Sequence, residues 1–467
     1  MFHKSTLRSY VILGVILASH TVVGRAASSA PAARNVVLII GDDHGLQLGC
    51  YGDAVIKTPS LDRLAAQGTR FANAFAAVSS CSPSRSVILT GQFNHTNGQY
   101  GLAHAAHNFN SLPGVRSLPN LLAVAGYRTG IVGKHHVNPP EAYAFEEQLR
   151  YPGGPRNVAA MAQAAHKFIA ASTDRPFFLL VGFHDPHRDK TGFGNGGKFP
   201  GLLKVEYKPE DIQVPPWLPD TPEVRHELAE YYESISRMDH GVGLILDAIQ
   251  QTGHEKDTLV IYVSDNGPPF PGAKTTLYEP GIHLPLIVRS PAQNRRSVTC
   301  QAMVSFVDIT PTVLDWAGLA LPKGVAGRSL LPALDQNNPA GWDVVYGSHT
   351  FHEVTMYYPM RMIRTRTHKY ILNLANCLEY PLASDLWGSE AWQGILHRGD
   401  ARCGQRTVNA LLHRPREELY DLTKDPNEIH NLAADPANAA LLEQVRGQLK
   451  QWQENTRDPW LIKYTHE

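Results

Sequence analysis

The sequence has no excess of either charge, few cysteines and no long apolar run. Its 467 residues carry 43 Lys and Arg against 43 Asp and Glu. A protein that coats nucleic acid or another polyanion needs a basic excess, so we expect no nucleic-acid partner, although a local basic pocket for one anion remains allowed. A chain of this length can bury a large core and usually forms more than one domain.

The apolar run nearest the start, Val11 to Leu17, is too short to span a bilayer. It follows Lys4 and Arg8 and precedes small residues, which predicts a secretory signal peptide over residues 1–28. No cysteine follows the run closely, which argues against a lipoprotein anchor. No later segment is apolar enough to span, so we expect a soluble, exported protein with no membrane partner.

The cysteines number five, and their spacing does not establish any pairing. Four remain for disulfides if Cys81 is reserved for chemistry, and an oxidising compartment would allow them to pair. Cys377 and Cys403 are the one candidate pair, because both lie in the same irregular region. The five are Cys50, Cys81, Cys300, Cys377 and Cys403.

Apolar runs alternate with helical patterns through most of the chain. Strands are predicted in NVVLIIG, YRTGIVG, RPFFLLVG and DTLVIYVS. Helices are predicted in TPSLDRLAAQGTRFANAFA, SRSVILTG, NVAAMAQAAHKFIAAS and VRHELAEYYESISRMDHGVGLILDAIQQTG. This alternation predicts an α/β fold with a large doubly wound sheet flanked by helices.

The pattern changes towards the C-terminus. PMRMIRTRTHKYILNL predicts exposed antiparallel strands, and NAALLEQVRGQLKQWQENTR predicts an amphipathic helix. The stretch from Cys377 to Cys403 has no clear period and is predicted to be loop. We therefore expect a catalytic domain over residues 29–355 and a smaller α+β subdomain with an antiparallel sheet over residues 356–467.

Polar clusters follow four of the predicted strands. In open α/β sheets, ligands bind outside the carboxyl ends of the strands. One polar strand end is ordinary turn chemistry, but four together favour a functional site. The clusters are Asp42-Asp43, Lys134-His135-His136, His184-Asp185 and Asp265-Asn266.

Two of these clusters offer only oxygen ligands, from Asp42, Asp43, Asp265 and Asn266. Such a set suits a hard cation, Ca²⁺ or Mg²⁺, which would also relieve the repulsion between adjacent carboxylates. The alternative is that DDHG and SDNG are Asx turns followed by glycine, and each motif alone fits that equally well.

Cys81 lies in the stretch AVSSCSPSRSVILTGQ, just before a proline that starts a helix. A buried structural cysteine is the ordinary explanation. A helix N-terminus would instead lower the thiol pKa and make a nucleophile, but a thiolate beside a hard cation is a poor match. The spacing Cys-x-Pro-x-Arg therefore needs another explanation.

CSPSR with its trailing TG resembles the signature of type I sulfatases, of the alkaline phosphatase superfamily. Nearly the whole chain after the signal peptide resembles one branch, the sulfamidases. The segments that carry this resemblance are VSSCSPSR, RTGIVGKHHV, RPFFLLVGFHDPHR, RMDHGVGLIL, SDNGPPFP, HEVTMYYPMR, ELYDLTKDPNEIHNLAADP and DPW. The resemblance implies an alkaline phosphatase-like, mostly parallel sheet.

The resemblance also implies that a formylglycine-generating enzyme oxidises Cys81 to Cα-formylglycine. The hydrate of this aldehyde has two hydroxyls: one attacks sulfur to form a sulfo-enzyme intermediate, and the other expels sulfate. Arg85 would hold the hydrate and neutralise charge near the metal. The implied ligands of one Ca²⁺ are Asp42, Asp43, residue 81, Asp265 and Asn266.

The remaining roles follow from matching motifs. Lys134 and Lys274 would bind the sulfo oxygens. His136 would take the proton of the second hydroxyl, and His184 would protonate the leaving nitrogen. His135 and His187 are expected to be packed, structural residues. Sulfamidases have Arg where this chain has Lys274, so a bidentate contact would be lost.

The segment HEVTM resembles sulfamidases and not sulfatases in general. A carboxylate can accept hydrogen bonds from two sugar hydroxyls, so Glu353, with His352 beside it, is predicted to line the pocket. A salt bridge at a domain interface is the alternative for Glu353.

The resemblance therefore implies a sulfamidase that hydrolyses the S–N bond of N-sulfoglucosamine at the non-reducing end of heparan sulfate or heparin fragments. An O-sulfatase of the same fold, a silent sulfated-glycan-binding protein and a phosphomonoesterase or phosphonate hydrolase are the alternatives. A second copy, in a homodimer, is the remaining candidate partner. The one N-x-[ST] sequon, at Asn94, favours a bacterial periplasmic or secreted enzyme over a lysosomal animal enzyme.

Overall fold

The computed structural model of the chain describes residues 34–190, 192–199, 201–202 and 204–463, together with Met1. The predicted signal peptide, residues 1–28, lies outside the described residues except for Met1. The described residues from Arg34 to Lys463 belong to one compact unit. Within these ranges, no helix combines the length and the apolar composition needed to cross a membrane.

Eight strands form the large sheet. They are β1 (Asn35–Gly41), β2 (Thr69–Phe75), β3 (Arg128–Gly133), β4 (Glu147–Leu149), β5 (Phe177–Gly182), β6 (Thr258–Ser264), β7 (Leu286–Arg289) and β8 (Val298–Ser305). Their order is β4-β3-β5-β1-β6-β7-β2-β8. Strand β7 runs antiparallel to its neighbours β6 and β2, and the other adjacent pairs are parallel. The prediction of a large, mostly parallel sheet is confirmed.

Helices cover both faces of this sheet. The described residues contain α1 (Pro59–Gln67), α2 (Cys81–Thr90), α3 (Asn94–Asn97), α4 (Leu118–Val124), α5 (Val158–Ala170), α6 (Pro222–Gln251), α7 (Glu279–Ile282), α8 (Ile309–Trp316), α9 (Ser384–Trp387), α10 (Glu390–Arg398), α11 (Val408–Leu412) and α12 (Ala439–Asn455). Alternate side chains of β1 enter two cores, as the period of a strand requires. Val36, Leu38 and Ile40 pack with α2, α4 and α8, whereas Val37 and Ile39 pack with α1, α5 and α6.

A smaller antiparallel sheet follows, and it contains β9 (Val344–His349), β10 (Met360–Thr365), β11 (His368–Asn373) and β14 (Glu417–Asp421). A short ladder joins β12 (Arg402–Cys403) to β13 (Arg406–Thr407). The predicted antiparallel strands are present, but they are mostly buried and not exposed. Helix α12 covers one face, and Leu449 lies in a core that also holds Ile363 and Tyr370.

The small sheet starts earlier in the chain than the predicted subdomain. Strand β9 begins at Val344 and pairs with β10, so part of the predicted catalytic segment belongs to this sheet. The division into residues 29–355 and 356–467 stays a prediction.

The predicted helix TPSLDRLAAQGTRFANAFA is wrong in its second half. Helix α1 ends at Gln67, and residues Thr69–Phe75 form β2, which pairs with β7 and β8. Gly68 separates the two elements, and a Cβ there would lie 2.3 Å from the carbonyl oxygen of Val288. Strand pairing with distant segments therefore outweighs the local helical pattern.

The stretch from Cys377 to Cys403, predicted to be loop, contains α9 and α10. The hydroxyl of Ser389 caps α10 by accepting a hydrogen bond from the Trp392 N–H at 3.1 Å. The candidate disulfide between Cys377 and Cys403 is also wrong, since both are free cysteines, one exposed and one buried.

A buried ion pair ties the C-terminal segment to the small sheet. Arg361 on β10 donates two hydrogen bonds to Asp458, of 2.5 and 2.8 Å, and both side chains are fully buried. We expect Arg361→Met to lower stability by about 3–5 kcal/mol, because it leaves an uncompensated buried carboxylate. A fall in Tm measures this loss. The exposed pair of Arg398 with Glu223 is the control, and Arg398→Met should cost less than about 1 kcal/mol.

The same pair makes stability depend on pH. Burial raises the pKa of Asp458, but the hydrogen bond and charge of Arg361 outweigh it and lower that pKa to about 2. A depressed carboxyl pKa stabilises the fold above the unfolded value of about 4, and this contribution is lost as the pH falls from there to about 2. An equal loss of Tm at acid pH in Arg361→Met and in the unaltered protein would contradict this assignment.

Candidate active site

The polar side chains that follow four strands meet at one edge of the large sheet. Strands β3, β5, β1 and β6 are neighbours and parallel, so their carboxyl ends emerge side by side. The backbones approach closely at the end of β3, where a Cβ on Gly133 would lie 2.1 Å from the carbonyl oxygen of Gly182. Gly133 also has a φ of 87°, which favours glycine. This approach places Lys134 and His184 on the same side of the site.

Cys81 is the first residue of α2, every residue of which is buried. Its Sγ atom lies 3.7 Å from Oδ1 of Asp43. Burial raises the pKa of the Cys81 thiol well above its usual value, although Lys274 and Lys134 oppose this rise. The unmodified side chain is therefore a neutral thiol, which is a weak nucleophile and a poor ligand for a hard cation.

Arg85 lies one turn along the same helix and is 1% exposed. Its Nε donates a hydrogen bond of 2.8 Å to Asp265, and one terminal nitrogen lies 3.6 Å from Asp42. A second terminal nitrogen donates to the backbone carbonyl of Lys134 at 3.0 Å. The arginine therefore joins three strand ends and supplies positive charge beside the carboxylates.

The carboxylate cluster has the properties of a cation site. The Oδ1 atoms of Asp42 and Asn266 are buried and have no hydrogen-bond partner among the described residues. Asp42, Cys81 and Asp265 present ligand atoms within 4.8 Å of one another. Burial, together with the charge of Asp42, raises the pKa of Asp265 to about 7. A divalent cation would satisfy these oxygens and offset the repulsion, and oxygen donors suit a hard ion.

Two lysines complete the charge balance of the site. Lys134 forms an ion pair with Asp42. Lys274 is fully buried and lies between two carboxylates, 2.8 Å from Asp43 and 2.7 Å from Asp385. Both ammonium groups therefore offset carboxylate charge within the cluster.

The predicted base, His136, has a left-handed backbone with a φ of 63°. Its Nε2 lies 2.6 Å from Nδ1 of His104, an exposed residue that the sequence analysis did not assign. Its Nδ1 is buried and has no partner among the described residues. Burial and the charge of Lys134 lower the pKa of His136 well below its usual value, so the ring is neutral.

His184, the predicted acid, lies at the end of β5 beside the same cluster. Its Nδ1 is buried without a partner among the described residues. Burial and the charge of Lys134 lower its pKa to about 4, against the opposing effect of Asp42. His184 is therefore neutral before an anion arrives.

His187 was predicted to be structural, yet it lies at the edge of the cluster. Its Nε2 lies 3.4 Å from Nζ of Lys274 and 3.8 Å from Oδ2 of Asp43. With Asp43 and Cys81 it forms a second group of potential ligand atoms within 4.8 Å of one another. The motif HDPH repeats a histidine three residues after His184, and that repetition was the signal in the sequence.

The structure separates the two predicted pocket residues by what they contact. His352 is 3% exposed, and its Nδ1 lies 2.8 Å from Oγ of Ser80, next to Cys81. Glu353 accepts hydrogen bonds from the N–H and the hydroxyl of Ser384, at 2.9 and 2.5 Å. Its Oε1 therefore holds the first residue of α9, and the predicted contact with sugar hydroxyls stays a prediction.

Most of the predicted site is brought together by direct contacts. The residues joined in this way are Asp42, Asp43, Cys81, Arg85, Lys134, Asp265, Asn266 and Lys274. His136 and His184 border this group, whereas Glu353 contacts α9 instead. Asp385, on that helix, is a residue that the sequence analysis missed.

The chain matches two protein family models and several known sulfatases. The family model described as Sulfatase matches residues 34–319, and the model described as "N-sulphoglucosamine sulphohydrolase, C-terminal" matches residues 273–386. The human N-sulphoglucosamine sulphohydrolase is 44% identical over 92% of this chain and 91% of its own length. An N-acetylglucosamine-6-O-sulfatase from Bacteroides thetaiotaomicron is 24% identical over 84% of this chain and 88% of its own.

Solved structures share the fold at low identity. A protein in complex with its substrate D-glucosamine-2-N,6-O-disulfate superposes with a TM-score of 0.67 at 20% identity, covering 91% of this chain and 98% of the other. The phosphonate monoester hydrolase of Agrobacterium radiobacter superposes with a TM-score of 0.68 at 19% identity, covering 91% and 96%. The family match and the close relative, together with the clustered CSPSR, DD and SDN residues, lead to one conclusion: the chain belongs to the sulfatase family.

Proposed function

We propose that this protein is a sulfamidase, which hydrolyses the S–N bond of N-sulfoglucosamine at the non-reducing end of heparan sulfate or heparin fragments. The observation that carries this proposal is the 44% identity to the human N-sulphoglucosamine sulphohydrolase over 92% of the chain. The C-terminal family model supports it further, because residues 273–386 include Lys274, Glu353 and Asp385.

The site residues fit two groups that the family is expected to carry. Oxygen atoms for one Ca²⁺, beside residue 81, would come from Asp42, Asp43, Asp265 and Asn266. When bound, the ion supplies positive charge that activates an oxygen nucleophile and stabilises the charge of the sulfo group. Oxidation of Cys81 to Cα-formylglycine, by a formylglycine-generating enzyme, would supply a hydrated aldehyde with two hydroxyls, one as the nucleophile for sulfur and one for the release of sulfate.

The cationic side chains of the chain bind and orient the sulfo group. Lys134 and Lys274 form ion pairs with Asp42 and Asp43, so their Nζ atoms lie beside the proposed cation site and can donate to sulfo oxygens. Arg85 remains bound to Asp265 and keeps the base of the site positively charged. Donors already held in place stabilise developing negative charge at low cost, because few groups must reorient during the reaction.

The two histidines transfer protons at different steps of the reaction. An S–N bond does not release an amide anion at a useful rate, so His184 donates a proton to the leaving nitrogen. An anionic sulfo group beside His184 raises the low pKa of that ring and supports its protonated form. His136 is neutral, and its unpartnered Nδ1 is available to accept the proton of the second hydroxyl.

The role of His184 predicts a dependence on the leaving group. We expect His184→Gln to lower kcat/KM for N-sulfoglucosamine by about 10²- to 10⁴-fold, the usual range for loss of a general acid. Hydrolysis of 4-nitrophenyl sulfate should fall by about tenfold or less, because nitrophenolate leaves without a proton. Steady-state kinetics on both substrates test this. Exposed His413 is the control, and His413→Gln should change neither rate. An equal loss on both substrates would contradict the assignment.

An O-sulfatase of the same fold is the second candidate, and one observation favours it. Lys274 stands where sulfamidases have arginine, and lysine is common there in other sulfatases. The test compares release of sulfate from N-sulfoglucosamine and from glucosamine 6-sulfate by matured, Ca²⁺-loaded enzyme. Preference for the N-sulfate supports the sulfamidase, and release from the 6-sulfate alone overturns it.

Export, a maturation partner and assembly complete the proposal. The predicted signal peptide places the enzyme in the periplasm or outside the cell if the source is bacterial, and in the lysosome if it is animal. The formylglycine-generating enzyme is the partner required for maturation, and a homodimer is the proposed assembly. Light scattering of the purified protein tests the last point, since a single monomeric mass would exclude a stable dimer.

A further inference from the structure

Asp385 is a partly buried carboxylate beside Lys274, and the roles described above do not use it. It lies on α9, and its Oδ2 accepts a hydrogen bond of 2.7 Å from Nζ of Lys274. Its side chain is 17% exposed, and its Oδ1 is buried without a hydrogen-bond partner among the described residues. Glu353 fixes its position by holding Ser384, the residue before it.

The carboxylate of Asp385 is negatively charged where an anionic substrate has to bind. Burial raises its pKa, but the charge of Lys274, the largest of the opposing influences, keeps it below its usual value. Burial also lowers the pKa values of His187 and His352, so both rings are neutral and Lys274 is the charged partner of Asp385. Asp385 directly contacts Lys274, the residue that the proposed function assigns to the sulfo oxygens.

A second carboxylate on Lys274 weakens the attraction of that lysine for a sulfo group. A site that only held sulfate would bind it better with an apolar or neutral residue at position 385, because the repulsion between two anions would be absent. The unpartnered Oδ1 is an acceptor, and acceptors in a substrate site pair with donors of the substrate. The bridging nitrogen of a sulfamate carries such a donor, an N–H, whereas the bridging oxygen of a sulfate ester carries none.

We propose that Oδ1 of Asp385 accepts a hydrogen bond from the bridging N–H of the sulfamate and thereby selects S–N over S–O substrates. This inference rests on the proposed sulfamidase function and names the residue that distinguishes an S–N bond from an S–O bond. After cleavage, the same oxygen accepts from the protonated amine of the product. Asp385 is thus a specificity-determining residue, and Glu353 is the positioning residue that holds it.

The sharpest test is Asp385→Asn in the matured, Ca²⁺-loaded enzyme. The amide oxygen of the variant faces Lys274, which leaves its NH₂ group where Oδ1 was. The NH₂ group cannot accept a hydrogen bond from the N–H of a sulfamate, because both groups are donors. It can, however, donate a hydrogen bond to the bridging oxygen of a sulfate ester. We expect kcat/KM to fall roughly 10- to 100-fold on N-sulfoglucosamine and on N-phenylsulfamate, the loss expected for one hydrogen bond to a charged group. Hydrolysis of 4-nitrophenyl sulfate should be unchanged or faster.

Two controls make the outcome decisive. Glu379 is an exposed carboxylate shortly before α9, and Glu379→Gln should leave all three rates unchanged. N-phenylsulfamate has no sugar hydroxyls. A loss of kcat/KM confined to N-sulfoglucosamine would therefore mean that Asp385 accepts hydrogen bonds from sugar hydroxyls, which overturns the proposal. An equal loss on all three substrates would mean that it acts only through Lys274, which also overturns it.

A measurement on the unaltered enzyme keeps the proposal testable if the variant does not fold. Glucosamine carries the product ammonium and glucose does not, so glucosamine should inhibit hydrolysis of 4-nitrophenyl sulfate roughly 10-fold more strongly. Equal inhibition by the two sugars overturns the proposal. Failure of the unaltered enzyme on both sulfamates would refute the sulfamidase function itself, whereas normal sulfamidase activity with an unchanged substrate ratio in Asp385→Asn refutes only the role of Asp385.

Discussion

Cys81→Ser will abolish turnover of every sulfated substrate, by on the order of 10³-fold or more, the scale of loss when a nucleophile is disabled. The serine hydroxyl lies at the start of the same buried helix, so it can attack sulfur once. It has no second hydroxyl on the same carbon, so sulfate has no route of release. We therefore expect one equivalent of substrate to be consumed, followed by arrest, with a sulfo group added to the peptide that contains residue 81.

The control for this result is the exposed Cys377, since Cys377→Ser should turn over substrate at the normal rate. Mass spectrometry of the peptide from the unaltered enzyme should show formylglycine in proportion to activity. Sustained turnover by Cys81→Ser, or full activity from a preparation with only the thiol, would show that the chemistry at residue 81 is wrongly assigned.

Asp43→Asn will lose the metal and nearly all activity together. Asp43 receives hydrogen bonds from Asn266 at 2.7 Å and from Lys274 at 2.8 Å, and its Oδ1 lies 3.7 Å from Cys81. The substitution keeps the size of the side chain but removes one negative charge from the proposed ligand set. We expect a loss of activity on the order of 10³-fold, comparable to removal of other central catalytic groups.

Elemental analysis and melting curves measure the metal directly. Ca²⁺ should raise the Tm of the unaltered protein, because it binds the folded state, and should not raise that of Asp43→Asn. Asp174 is exposed, so Asp174→Asn should keep one Ca²⁺ and normal activity. Retention of one Ca²⁺ by Asp43→Asn would remove this residue from the ligand set.

Four of the eight strands of the large sheet, β1, β3, β5 and β6, were predictable because they are short apolar runs followed by polar residues. Strand β1 is the clearest case, with seven buried residues before Asp42. Strand β2 was missed because its burial alternates irregularly and its partners, β7 and β8, lie more than two hundred residues away. Helix α9 has four residues, which is too few for a helical period to appear in the sequence.

Several of the predicted site residues follow strands of the large sheet, whereas the missed ones do not follow a strand directly. Asp42, Lys134, His184 and Asp265 follow strands of one parallel sheet, so topology alone brings them together. Asp385 reaches the site on a short helix that Glu353 holds in place, and no local pattern indicates that contact. His187 was predicted to be structural because a packed, hydrogen-bonded ring is the ordinary role of a histidine.

The most direct test of the account is to follow N-sulfoglucosamine with matured, Ca²⁺-loaded enzyme and to measure sulfate and free amine in the same reaction. A sulfamidase releases them in equal amounts, at a rate that scales with the fraction of residue 81 present as formylglycine. Release of neither product by fully converted, metal-loaded enzyme, while a sulfate ester of the same sugar is hydrolysed, would contradict the assignment of the S–N bond as the substrate.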